Sequence, residues 1–170
     1  MPTLIEGKLK FTFPPKWVSS KYDDWSHYRN QAIAICGGSK AIDILALEAS
    51  SCCWLLEVKD YRQHRRTKTI NISDEIAAKV RDTLAALAGA QHHANDQEEK
   101  NMARRALRSG SIRVVLHLEQ PTKSSKLFPR AIEPVDVTQR LKQLLKPIDP
   151  HPKVVELSSM AGIPWEVSSL

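Results

Sequence analysis

Apolar residues in this chain fall into short unbroken runs and into stripes spaced three or four apart, and the two periods predict different elements. The strongest strand signal is Cys52-Cys53-Trp54-Leu55-Leu56, five apolar residues that stop at Glu57-Val58-Lys59. Such a run reads as a central strand covered on both faces. Lys40 to Leu47 is a second strand-like segment, with one acid, Asp43, among apolar residues. Ser50-Ser51 reads as the hairpin turn between the two. Lys8 to Phe13 alternates and ends at Pro14-Pro15, and Ala32 to Cys36 is strand-like and closes on Gly37-Gly38. Ile112 to Leu118 predicts another buried strand, Lys153 to Leu157 a further one, and Pro164 to Val167 a short edge piece.

Helical spacing appears at Ile76, Val80, Leu84 and Leu87, with Ser73 as N-cap, Asp74 and Glu75 in the first turn, and Gly89 as the stop. Gln91 to Ala94 reads as a loop. Asn95 with Glu98 resembles a capping box opening a second helix to about Arg108. A third helix starts at Asp136 and Gln139, apolar at Val137, Leu141, Leu144 and Leu145, and Pro147, Pro150 and Pro152 break the chain beyond it. A strand, two helices and a strand imply a crossover with parallel pairing. The pattern predicts one α/β domain over residues 1–170, a central mixed β-sheet flanked by α-helices.

Composition narrows the class. At 170 residues, 42% hydrophobic and 26% charged, the chain suits a folded soluble domain. No apolar run approaches membrane-spanning length, and the start Met1-Pro2-Thr3-Leu4 carries no export-signal pattern. Two of the three cysteines are adjacent in a core strand, which predicts reduced thiols and a cytoplasmic location. A net charge of +6 and a pI near 9.3 favour a polyanionic partner. His92-His93 has no cysteine or acid at zinc-like spacing.

The candidate chemistry lies at the end of the central strand. Glu-x-Lys recurs at Glu6-Gly7-Lys8 and Glu98-Glu99-Lys100, so the tripeptide alone reads as a solvated strand end. Glu57 and Lys59 differ in following a buried run, with Asp43 on the partner strand of the same hairpin. An acid, a hairpin, and an apolar strand ending Glu-x-Lys resemble the core of the PD-(D/E)XK, restriction-endonuclease-like nucleases. The resemblance covers roughly residues 20–120, and Ile42 stands where the proline of that name would be.

The resemblance implies a restriction-endonuclease-like core and Mg2+-dependent (or Mn2+-dependent) hydrolysis of phosphodiesters, in DNA. Asp43 and Glu57 would hold the metal, with Asp24 of the Asp23-Asp24 pair as a further acid, and Lys59 would act on the attacking water or stabilise developing charge. The alternative is a non-catalytic nucleic-acid-binding or scaffold module of the same fold, its acids and lysine forming a structural ion-pair cluster. In either case Arg62, Arg65, Arg66 and Lys68, and Arg104 and Arg105 on the second helix, are the expected phosphate contacts. A nucleic acid is the expected partner, with a second copy or a partner subunit as further possibilities and no membrane. Strand alternation sets one geometric condition. A two-residue Ser50-Ser51 turn would set Asp43 opposite Val58, away from Glu57. An odd loop or a bulge would put the two acids on one face, within about 6 Å if they share a metal.

Overall fold

The computed structural model describes residues 1–49, 51–123, 125–127 and 130–170. Strands β1 (Thr3–Glu6) and β2 (Leu9–Thr12) pair antiparallel across a turn at Gly7, whose φ of +57° is the left-handed conformation glycine accepts without strain. Strand β3 (Val18–Lys21) leads through a 3-10 turn at Tyr22–Asp24 into the short helix α1 (Ser26–Asn30). Strands β4 (Ile44–Glu48) and β5 (Cys52–Asp60) form the second hairpin. Helices α2 (Ile72–His93) and α3 (Gln97–Leu107) carry the chain back to β6 (Ser111–Glu119). Helix α4 (Pro134–Leu145) precedes β7 (Lys153–Val155), and β8 (Glu166–Ser169) returns to pair with β2.

Two sheets result. The larger runs β3-β4-β5-β6-β7, antiparallel up to β5 and parallel from β5 to β7, as a crossover through two helices requires. The smaller runs β1-β2-β8. Strand alternation divides the large sheet's side chains between two cores. Leu45, Leu47, Cys53, Leu55, Val114 and Leu116 pack beneath the helices with Ile76, Val80, Leu87 and Leu141. Ile44, Ala46, Leu56 and Val115 pack on the other face with Leu9, Phe11, Phe13, Trp17 and Trp165. The layers are therefore small sheet, large sheet and helices. Among the described residues no helix is long and apolar enough to cross a membrane.

Several elements differ from the expectation, each for a local reason. Residues 32–37 form a kinked 3-10 segment, not a strand. Ser39 folds back on it, donating its Oγ to the Ala32 carbonyl at 2.7 Å and its N–H to the Ile33 carbonyl at 2.8 Å. Among the described residues no strand lies beside it, so the alternation of Ile33 and Ile35 faces solvent. Helix α2 continues past Gly89 to His93, with Gly89 packed against the His27 ring. Its N-cap is Asn71, whose Oδ1 accepts the Ser73 N–H at 2.8 Å, while Ser73 itself is buried. Asp96, not Asn95, caps α3, accepting the N–H groups of Glu98 and Glu99.

The second hairpin decides where the candidate acids point. Glu48 pairs with Cys52, leaving three residues, 49–51, as its loop. The expected two-residue turn includes Ser50, which lies outside the described residues; Ser51 donates its N–H to the Glu48 carbonyl at 2.9 Å. The odd loop length shifts the register by one step relative to a two-residue turn.

Leu55 is fully buried at the centre of the helix-side core, whereas Ile35 is about half exposed. Leu55→Ala is expected to lower stability by about 2–5 kcal/mol, and Ile35→Ala to change it by less than about 0.5 kcal/mol. Urea unfolding of the two variants checks the assignment of core and surface.

Candidate functional site

The register of the β4–β5 hairpin places Asp43, one residue before β4, opposite Glu57. The Asp43 Oδ2 accepts the Val58 N–H at 2.7 Å, and its carbonyl accepts the Tyr22 N–H at 2.8 Å. Asp43, Glu57 and Lys59 all project to the helix side of the sheet, since they share the phase of Leu45 and Leu55. There they meet α2, whose Glu75 and Lys79 stand four residues apart and so share one side of the helix.

What forms is a chain of alternating charges. Lys79 Nζ lies 2.5 Å from Glu57 Oε1 and 3.6 Å from Asp43 Oδ1. Lys59 Nζ lies 2.6 Å from the same Glu57 oxygen and 3.6 Å from Glu75 Oε1. Beyond Glu75 come Lys68 at 2.6 Å and Arg66 at 2.8 Å. The side chains of Glu57 and Glu75 are fully buried, and Glu57 Oε2 has no hydrogen-bond partner among the described residues. Burial, then the negative charge of Asp43, raises the Glu57 carboxyl to about 7, with Lys79 and Lys59 pulling the other way. Burial also opposes ionisation of Glu75, but Lys68 and Arg66 outweigh it and hold that carboxyl at about 2. Lys59, although desolvated, is shifted upward by Glu57 and stays an ammonium.

The remaining expected site residues divide. Asp24 lies outside the cluster, paired with Arg29 and, at 3.6 Å, with Lys21. Its neighbour Asp23 is the acid close to Asp43: burial and then the Asp43 charge raise its carboxyl. Within the basic run after β5, Arg62, Arg66 and Lys68 are already paired with acids. Arg62 forks onto Asp60 at 2.9 and 2.6 Å. Arg66 reaches the Tyr61 hydroxyl, the Ile70 carbonyl and Glu75, and Lys68 is drawn to Glu75. Arg65, Arg104 and Arg105 are exposed, and among the described residues none of them forms an ion pair.

Lys79 and Glu75 are the members that sequence reasoning missed as site residues. Lys79 adjoins Val80 of the apolar stripe, and a lysine beside a core position, four residues after an acid, was the signal available.

The Mg2+ or Mn2+ of the resemblance can be tested against this geometry. The residue bridging Asp43 and Glu57 is Lys79, and the Glu57 oxygen nearest Asp43's partner already takes two ammonium groups. Among the described residues no three His, Cys, Asp or Glu side chains gather as a metal set. The donors present fit an internal ion-pair network rather than a divalent cation.

No protein-family model and no solved structure matches this chain. It is similar to a cysteine–tRNA ligase of Neisseria meningitidis (serogroup A, serotype 4A), with 31% identity over 210 aligned positions that cover 99% of this chain and 30% of that protein. The chain therefore spans less than a third of the relative's length. This finding overturns the expectation of a phosphodiester-cleaving nuclease, and with it the hydrolase and restriction-enzyme associations. The nuclease resemblance covers roughly residues 20–120 and turns on Asp43, Glu57 and Lys59, whereas the likeness to part of a tRNA ligase runs along nearly all of the chain.

The raised Glu57 carboxyl has a consequence for stability. Its proton is held more tightly folded than unfolded, so folding weakens as pH rises from about 4.5 to about 7. Glu57→Gln lacks that titration. The stability difference between variant and wild type is expected to move in the variant's favour as pH rises across this window, by on the order of 3 kcal/mol. Urea midpoints measured at pH 4.5, 5.5, 6.5 and 7.5 check it; parallel curves for the two proteins would contradict it.

Proposed function

We propose that this chain is an RNA-binding module directed at tRNA. The observation that carries the proposal is the likeness of almost the whole chain to part of a cysteine–tRNA ligase. The proposal assigns tRNA contact to this chain, not the ligation reaction. It also replaces DNA, the partner expected from the nuclease resemblance, with RNA.

The distribution of charge supports this reading. The acids at the end of the central strand are matched internally by Lys59, Lys79, Arg66 and Lys68, so that cluster presents little unpaired charge. With four bases against three acids there, most of the net charge of +6 is expressed elsewhere. Lys100, Arg104 and Arg108 recur every fourth residue along α3 and its C-cap, which sets them on one side of the helix. Arg105 stands beside them, and Arg104, Arg105 and Arg108 are all exposed. A stripe of arginines with no ion pair among the described residues is suited to a sugar–phosphate backbone, where guanidinium groups fork onto phosphate oxygens. Glu99 ties the same helix to α1, accepting the Ser26 N–H at 2.6 Å and the His27 N–H at 3.0 Å, so the stripe sits on an anchored support.

The fold resemblance is retained within the proposal. An antiparallel hairpin followed by a parallel strand across a helical crossover is the arrangement expected of a restriction-endonuclease-like core.

Filter binding with unfractionated tRNA, and with a DNA duplex as competitor, tests the proposal. The expected result is tRNA binding that weakens steeply with salt and survives excess duplex DNA. Replacing Arg104 and Arg105 together with glutamine should weaken binding and lower the salt slope by about two phosphate contacts. Absence of tRNA binding at low salt would overturn the reading.

A further inference from the structure

A second set of side chains, at the opposite edge of the large sheet from β3, takes no part in the charge cluster or in the α3 stripe. It is organised by three consecutive strands. Trp54 on β5 is in register with Arg113 on β6, and Val115, two residues on from Arg113, is in register with Lys153 on β7. Alternation therefore sets Trp54, Arg113 and Lys153 side by side on the face opposite the helices. The small sheet covers much of that face, and two cavities lie at the β7 edge of the large sheet, the second reaching round to α4 on the helix side. One, of about 400 Å³, is lined by Trp54, Arg113, Val114, Asp149, His151 and Lys153. The other, of about 340 Å³, shares His151 and Lys153 with it and adds Lys142 and Ser159. Each is of the size that holds a small ligand or one residue of a polymer.

The chemistry of this groove is specific. Its basic side chains are Arg113, Lys142, His151 and Lys153, and its one acid is Asp149. Asp149 is fully buried and already occupied, accepting from Arg113 Nη1 at 3.1 Å, the Val114 N–H at 2.8 Å and the His151 N–H at 2.9 Å. It fixes the guanidinium and the His151 backbone rather than repelling an anion. Trp54, half-buried, is held by two other rings: Trp17 stacks against it with centroids 6.0 Å apart, and Trp165 makes a perpendicular contact at 5.2 Å. An aromatic ring locked by two others costs little further ordering when a planar ligand packs against it. Lys153 is likewise anchored, its Nζ donating to the Gly162 carbonyl at 2.7 Å.

A rigid indole beside a fixed guanidinium, rimmed by lysines, matches an unpaired base with its flanking phosphates. A duplex offers its phosphates but not the faces of its bases. The geometry points to this groove as a binding site for a single-stranded RNA segment, its base against Trp54 and Arg113 and its phosphates on Lys142 and Lys153. The inference rests on the RNA-binding reading above but concerns a different surface, so the two can fail separately.

The test is fluorescence anisotropy with a labelled 12-nucleotide single-stranded RNA, run beside filter binding of tRNA. Wild type is expected to bind the oligonucleotide. Lys142→Gln combined with Lys153→Gln should weaken it roughly tenfold and lower the salt slope by about 1.4, the share of two phosphates on a single strand. Trp54→Leu should also cost roughly tenfold, and Trp54→Phe should restore most of that loss. If Trp54→Leu does not fold, the lysine pair and the phenylalanine variant decide. Photocrosslinking of a 5-iodouridine oligonucleotide should mark Trp54 or His151. Wild-type affinity in the lysine variant, or crosslinks only outside the groove, would overturn the inference. Binding of tRNA without any binding of the oligonucleotide would overturn it and leave the module reading standing. Binding of neither RNA would overturn both.

Discussion

The structure depends on keeping Glu57 inside it. A carboxylate at the end of a buried central strand is expensive to desolvate, and it persists because two ammonium groups share one of its oxygens. Those ammonium groups come from different elements. Lys59 is two residues further along β5, and Lys79 projects from the first half of α2. Each then reaches another acid, Lys79 to Asp43 and Lys59 to Glu75, so the hairpin, the strand end and the helix are held by one alternating set of charges. Removing a partner from such a set leaves a buried charge uncompensated, typically a loss of about 3–5 kcal/mol. The loop between β5 and α2 is bound into the same set, since Arg66 and Lys68 converge on Glu75.

This internal neutralisation shapes what the surface can do. Positive charge that a reading of the bare sequence assigns to solvent is consumed within the fold at Arg62, Arg66 and Lys68. The charge left over is gathered in two places with different character. The α3 stripe presents exposed arginines that meet no acid among the described residues, which suits backbone phosphates. The groove by β7 combines a locked tryptophan with anchored cations, which suits an unpaired base. Both are compatible with a partner that has paired and unpaired segments, as tRNA does.

Much of the architecture was legible in the pattern of apolar residues. The unbroken run at 52–56 became β5, the stripe from Ile76 to Leu87 became α2, and the strand–helix–helix–strand order required the parallel pairing of β5 with β6. The failures came where tertiary context decides. Ile33 and Ile35 alternate like a strand but have no sheet to join, and Gly89 sits inside a helix because its stop signal is local while the packing against His27 is not. The candidate site was legible only in part. Alternation within the hairpin made the placement of Asp43 hinge on one residue of loop length, and the three-residue loop settled it beside Glu57. Lys79 escaped notice because a lysine next to a helical stripe usually reaches solvent. Adjacent acids on an aromatic-rich segment give no sign of which one turns inward, so the pattern does not separate Asp23 from Asp24.

Contact with tRNA through surfaces separate from the buried charge cluster is best tested by hydrogen–deuterium exchange with and without tRNA. Backbone amides slow on binding where a partner covers or steadies them. The expected result is added protection in α3 around Lys100 to Arg108, with the amides of Asp43, Glu57 and Lys79, read at single-residue resolution, unchanged because that cluster is already closed. Protection concentrated at those three residues, with α3 unaffected, would contradict it.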